Sequence, residues 1–283
     1  MRKELSEASK KAIVTVQVAR KVAFLEPLHT QLRRYASLHF ERQKDALRNE
    51  LTRRESVLNE RVCQEGLGDD IDGIMDSIFA DYRTIFAGAL TTVLGETMKG
   101  AVRHRLADAD YDISFNLDHP MAQEYLRKYC MDAVKGIDET TRRSMKQIVA
   151  RGEADGTSYN EIARQMVAKF DAFGTPAPQS HLRNRAELIA VHELGNAYES
   201  ASRQTVDALE AHGLPMRKYW SNTGDEKVSV QCREDTAAGW IRAGDPFPSG
   251  NQHAPGHGGC RCSVCYELDE DAALAGVDPR RGL

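Results

Sequence analysis

The 283-residue chain sets 38 Lys and Arg against 42 Asp and Glu, a formal charge of −4, so it has no global basic field to hold nucleic acid. With 41% hydrophobic and 28% charged residues, it reads as a packed core under a well-solvated helical surface, not as a disordered or fibrous chain. No apolar run approaches the roughly 18 residues a membrane helix needs, and the opening MRKELSEASKK lacks the apolar segment of a secretory signal.

Residues 4 to about 65 read as long charged helices. Val14, Val18, Val22 and Leu25 recur at helical spacing, Pro27 interrupts the pattern, and Leu28, Leu32, Tyr35, Leu38 and Phe40 resume it. From Phe40 to Arg61 the apolar anchors are few (Leu47, Leu51, Val57, Leu58), which predicts an exposed helical hairpin or a solvated helix face. Gly66, Gly68 and the Asp69–Asp70 pair mark a break. An amphipathic helix follows with Ile71, Ile74, Met75, Ile78, Phe79, Tyr82, Ile85 and Phe86 on one face, and Gly95 or Gly100 is placed to end or kink it.

Asp108 to Asp112 is a polar turn, and Ile113 to Leu117 reads as a strand or an extended link. Pro120 sits near the first turn of a helix reaching about Val134, and a second helix is expected from Asp138 to Arg151. Ser158 and Glu161 fit a capping box for a helix running to Phe170. After a loop from Phe173, a long helix opens at Asn184 and reaches about His212, with Glu193 among the small residues of its inward stripe. Gly213 to Pro215 stops it, and Met216 to Trp220 reads as a strand.

The last fifth, Trp220 to Tyr266, differs from everything before it. It holds four of the six cysteines, both tryptophans and a dense series of Gly, Pro and Asn turn signals, which exclude long helices. Without an export signal, those cysteines are expected to stay reduced or to bind metal. The overall expectation is a mainly α protein: an elongated helical bundle with a small C-terminal α+β module of short strands and turns. Its organisation is an N-terminal helical region (1–110), a helical core (111–215), a Cys/His-containing module (216–266) and a loose tail (267–283).

Four signals come in a fixed order. A turn at Gly156–Ser158 precedes Glu161-Ile-Ala163; then come Arg185-Ala-Glu-Leu-Ile-Ala190 and Glu193; then Lys218-Tyr-Trp220 and Asp225; and last His257-Gly-Gly-Cys260-Arg261-Cys262. This order resembles the phage Mu F-like, or head morphogenesis, family of minor head proteins of tailed bacteriophages. The resemblance covers about 115–266, and residues 1–110 match no motif. His192 stands where the family usually has Thr, and Cys232 where it usually has His. The resemblance implies a virion component of the head interior and portal region, present in the host cytoplasm during assembly. It implies the portal protein and the major capsid or scaffolding protein as partners, leaves phage DNA and homo-oligomerisation open, and implies no defined reaction.

Three chemistries are weighed at named residues. Zinc takes tetrahedral sulfur and nitrogen ligands, here Cys232 on one loop and Cys260, Cys262 and Cys265 with His257 or His253 on the other. A bound metal would hold together a module too rich in turns to build much core. Hydrolytic or ribosyl chemistry would draw on Asp225, Glu226, Glu234, Asp235, His253 and His257, or on Arg185, His192 and Glu193, but no nucleophile stands at a motif-grade distance from a base. A non-enzymatic structural role is therefore expected, and a phage-borne effector or hydrolase is the rival. The basic pairs Arg33–Arg34, Arg53–Arg54 and Arg142–Arg143 are interleaved with acids and read as solvated helix faces. Arg185, Glu193, Trp220, Asp225 and Arg261 are expected at the junction of helix and module, with Glu193 pairing to Arg185, Arg217 or Arg261.

Overall fold

The computed structural model describes residues 7–55, 68–109, 120–174, 185–270 and 272. Its helices are α1 (Glu7–Arg53), α2 (Gly68–Ala109), α3 (Pro120–Ala154), α4 (Tyr159–Gly174), α5 (Arg185–Ala211) and α6 (Val230–Ala237). Its strands are β1 (Met216–Ser221), β2 (Ile241–Arg242) and β3 (Ser263–Leu268). The mainly helical fold with a small strand-and-turn module is as expected. The segment 113–117, Val57 and Leu58, and the tail beyond 272 lie outside the described residues.

The helices are longer than the sequence pattern suggested. α1 continues through Pro27, although an interior proline lacks one hydrogen-bond donor and crowds the preceding turn. Packing on both sides holds it: Phe24 and Leu25 lie against one cluster, while Leu32, Ala36 and Phe40 are buried further along. Gly100 neither ends nor kinks α2. It makes room for Phe24, whose ring carbons would lie 2.0–2.7 Å from a Cβ at that position. The two helices expected between Met121 and Arg151 are one, α3. The stretch from Phe40 is no separate hairpin as far as Arg53, since it belongs to α1 and buries Leu47 and Leu51.

By compactness the residues form two units that do not follow chain order. One comprises 31–93 and 118–189 and is helical. Its core gathers Leu32, Phe40 and Leu47 of α1, Ile71, Ile74, Ile78 and Phe79 of α2, and Met145, Ile162 and Phe170 of α3 and α4. Inside it, Asp138 is almost fully buried. Its Oδ1 accepts a hydrogen bond from Gln43 Nε2 at 2.9 Å and lies 3.4 Å from His39 Nε2, and its Oδ2 accepts one from Arg83 Nε at 2.9 Å. Ser158 caps α4 by accepting from the Glu161 amide at 3.4 Å, while the Glu161 carboxylate turns to Arg164 and Gln165 instead of completing a capping box.

The other unit comprises 1–30, 94–117 and 190–283 and contains the whole sheet. α5 ends in a Schellman motif. Gly213 has a φ of +85°, its N–H donates to Glu210 O, and the Leu214 N–H reaches back to Leu209 O. That reversal feeds β1, the centre of a three-stranded antiparallel sheet of order β2-β1-β3. Trp220 pairs with Val264 and Lys218 with Tyr266, and β3 extends to Leu268, so the ordered module passes the expected limit at 266.

Candidate functional site

Alternation along the strands gives the sheet two faces. Met216, Trp220, Val264 and Tyr266 face a core completed by Val206, Leu209, Val228, Phe247 and three cysteines, Cys232, Cys260 and Cys262. Trp220 is fully buried and meets Phe247 edge-on at 5.0 Å. On the opposite face Cys265 approaches Val14 O of α1 at 4.0 Å, and burial pushes its thiol up to about 12.

β3 is an edge strand, yet its outer backbone groups meet side chains instead of water. Gln17 Nε2 donates to Tyr266 O at 2.8 Å, and Gln17 Oε1 accepts from the Tyr266 N–H at 3.0 Å. Glu199 Oε1 accepts from the Val264 N–H at 3.2 Å. Lys21 Nζ donates to Cys262 O at 3.2 Å and to Ser263 Oγ at 3.0 Å, and it forms an ion pair with Glu199 at 2.6 Å. Arg105 of α2 donates to Val264 O and to Gln17 Oε1, and its guanidinium lies 5.2 Å over the Tyr266 ring. Three helices therefore supply the polar complement of a missing fourth strand, and this is why Gln17, Lys21, Arg105 and Glu199 are buried.

This arrangement adds a polar inward face at the start of α1: Gln17 and Lys21 are 6% exposed, while Val22, expected inside, is 57% exposed. Apolar periodicity finds a buried face only where the neighbour is apolar; here the neighbour is a row of amides. The i, i+4 spacing of Gln17 and Lys21 was the available signal.

The turn before β3 assembles the sulfur cluster. The Cys260 N–H closes a turn on His257 O at 3.1 Å, with Gly259 at a φ of +76°, so His257 and Cys260 project together. α6 is capped by Ser229, whose side chain accepts from the Cys232 N–H, and this brings Cys232 to the same place. Cys232 Sγ lies 3.5 Å from His257 Nε2 and 3.8 Å from Cys260 Sγ. Cys262 is buried in the same core cluster as Cys232 and Cys260. The hydrogen bond from Cys262, with backbone N–H groups of Cys262 and Gly256, draws the Cys260 thiol down to about 5 against the effect of burial. Burial holds Cys232 up, and the neighbouring Cys260 holds Cys262 up.

The structure brings together the ligand atoms of Cys232, His257 and Cys260, with Cys262 in the same buried cluster, but not those of Cys265 or His253. Cys262-Ser-Val-Cys265 runs into a strand, not a knuckle, and an odd separation in extended chain sends the two sulfurs to opposite faces. His253 has its Nδ1 2.8 Å from Ala254 O and its Nε2 3.5 Å from Ser200 Oγ.

The other candidate residues are distributed. Arg261 pairs with Asp225 at the surface at 2.6 Å, which holds the Asp225 carboxyl below its usual range. Arg217 pairs with Glu267 at 3.0 Å. Arg185 donates to Thr141 Oγ1 and Ile137 O, both at 2.7 Å, and lies over the Phe40 and Phe173 rings; burial brings its pKa down to about 10. All three arginines proposed for Glu193 thus have other partners, and Glu193 itself is buried. Asp235, fully buried, accepts from the Ser249 N–H at 2.9 Å. Several of the basic residues pair with acids locally: Arg142 contacts Asp72, Asp76 and Glu139, Lys146 contacts Asp72, and Arg53 and Arg54 contact Glu50.

Residues 143–265 match the family model of Phage Mu protein F like protein. The matched stretch begins within α3 and ends in β3, so it contains α4, α5, the sheet and the sulfur cluster. It coincides with the ordered motifs and supports the family they suggested. No curated protein and no solved structure matches the chain. The Mu F-like family suggests a phage head morphogenesis protein with a virion location. Among the described residues, no helix is long and apolar enough to cross a membrane.

Proposed function

We propose that the chain is a bacteriophage minor head protein that works through protein contacts in head assembly and in DNA packaging or injection. The observation that carries this reading is the Mu F-like match over 143–265. The geometry supports a structural role. Glu199, Lys21 and Arg105 are engaged in holding β3, Asp235 and Arg185 brace other segments, and of the residues weighed for catalysis Asp225 pairs with Arg261 and His253 lies by Ser200. In this reading the portal and the major capsid or scaffolding protein are the partners. Phage DNA and further copies of the chain are additional contacts, made in the head interior.

The test is genetic and compositional. A phage genome carrying an amber codon in this reading frame is grown with and without a suppressor host. The expected result is the chain in purified heads under suppression, and aberrant or DNA-poor heads without it. Normal, infectious heads that never contain the chain would overturn the proposal.

A further inference from the structure

We propose that Cys232, His257, Cys260 and Cys262 bind one structural Zn²⁺ in a tetrahedral set of three sulfurs and one nitrogen. This goes beyond the head-protein reading and does not depend on it.

The spacing of the ligand atoms carries the argument. Zinc–sulfur bonds of about 2.3 Å and zinc–nitrogen bonds of about 2.0–2.1 Å, set at the tetrahedral angle, imply S···S edges of about 3.8 Å and S···N edges of about 3.6 Å. The protein shows 3.8 Å between Cys232 and Cys260 and 3.5 Å between Cys232 and His257. The ligand atoms of Cys232, His257 and Cys260 all lie within 4.8 Å of one another. Cys262, two residues beyond Cys260 and buried in the same core cluster as Cys232 and Cys260, is the sulfur available as the fourth ligand. The cysteines are free, so the close sulfurs are not already joined.

The surroundings are those a metal-bound set requires. His257 Nδ1 lies 3.0 Å from Gly258 O, so an N–H there donates to the carbonyl and leaves the Nε2 lone pair facing Cys232. Trp220 Nε1 is buried with no conventional acceptor and lies beside Cys262, where a metal-bound thiolate would accept its N–H. Three short segments meet at the cluster: the first turn of α6, the His257–Cys260 turn and the approach to β3. A metal there would join pieces of chain that share little regular structure, the usual task of a closed zinc site. Redox or hydrolytic zinc chemistry is not part of the proposal.

The experiment uses the full chain, expressed with zinc supplied and purified under reducing conditions. Elemental analysis is expected to give one zinc per chain. Cobalt exchange is expected to give the visible bands of tetrahedral Co²⁺ with thiolate charge transfer. Cys232→Ser and Cys260→Ser should lose most of the metal, while Cys265→Ser should keep all of it. If the ligand variants precipitate, the wild-type cobalt spectrum and the release of zinc on titration of the thiols with a mercurial decide alone. A metal-free wild-type chain with no cobalt bands, full zinc in Cys232→Ser, or a Cys232–Cys260 disulfide in fresh protein would each overturn the proposal.

Discussion

The side-chain amide of Gln17 closes a two-hydrogen-bond ring on the backbone of Tyr266, accepting from its N–H at 3.0 Å and donating to its carbonyl at 2.8 Å. A primary amide has the same donor–acceptor pair as a peptide unit, so Gln17 stands where a neighbouring strand's backbone would stand. Gln17→Leu leaves both Tyr266 groups buried and unmet. At ~1–3 kcal/mol for each orphaned group, the variant should lose about 2–6 kcal/mol in urea unfolding. Gln17→Glu should be at least as damaging, because a carboxylate oxygen then faces the carbonyl.

Lys21 and Glu199 form an ion pair whose side chains are 8% and 0% exposed. Lys21→Met strands a buried carboxylate, at a cost of about 3–5 kcal/mol. Adding Glu199→Gln should recover much of that loss, since a neutral amide oxygen still accepts from the Val264 N–H. A double variant no more stable than Lys21→Met would show that the two side chains are not coupled.

Gly100 is a matter of volume. A Cβ there would come within 2.0 Å of Phe24 Cζ. Gly100→Ala should therefore destabilise by about 1–3 kcal/mol, although alanine is the better helix former. The same substitution in a Phe24→Leu background should cost markedly less, which a double-mutant cycle reads directly.

Lys218 has no solvent exposure. Its Nζ donates to Gln252 O and Oε1 and lies 4.7 Å over the Phe247 ring, and burial, aided by the charge of Arg203, brings its pKa down to about 8. The folded state thus releases this proton at lower pH than the unfolded chain does, where the value is about 10.4. Between about pH 8 and 10.4 the unfolded state binds more protons, so stability rises with pH through that window. Measured against Lys218→Met, the wild-type protein should gain stability as pH rises across it. A flat difference would show that the ammonium is solvated.

Where helix faces apolar helix, the sequence was easy to read. Ile71, Ile74, Met75, Ile78, Phe79 and Phe86 were expected inside and are, while Ile85, expected on the same face, is 55% exposed at its edge. Ser158, Gly213 and the strand at Met216 were legible because caps and left-handed turns leave local signatures. The course of α1 was not. Pro27 argues locally for a stop, and only contacts distant in sequence override it. The polar face at Gln17 and Lys21 was hidden because its complement, the edge of β3, lies about 250 residues away and contributes backbone groups, which carry no residue signature. At the cysteine cluster, composition named Cys232, His257 and Cys260, whose ligand atoms the structure brings together, and also Cys265 and His253, which lie elsewhere. Cys262 and Cys265 look like a ligand pair until the strand beginning at Ser263 separates them.

The covered edge also decides what β3 can do when many copies crowd together. An open strand edge is a template on which another chain, or another copy, can add a strand, and proteins stored at high local concentration are the most exposed to that polymerisation. With the amides of Val264 and Tyr266 already occupied by Glu199 and Gln17, β3 offers no such template. The sheet's other edge, β2, is only two residues long. Strand addition at β3 would first have to displace Gln17, Glu199 and Arg105.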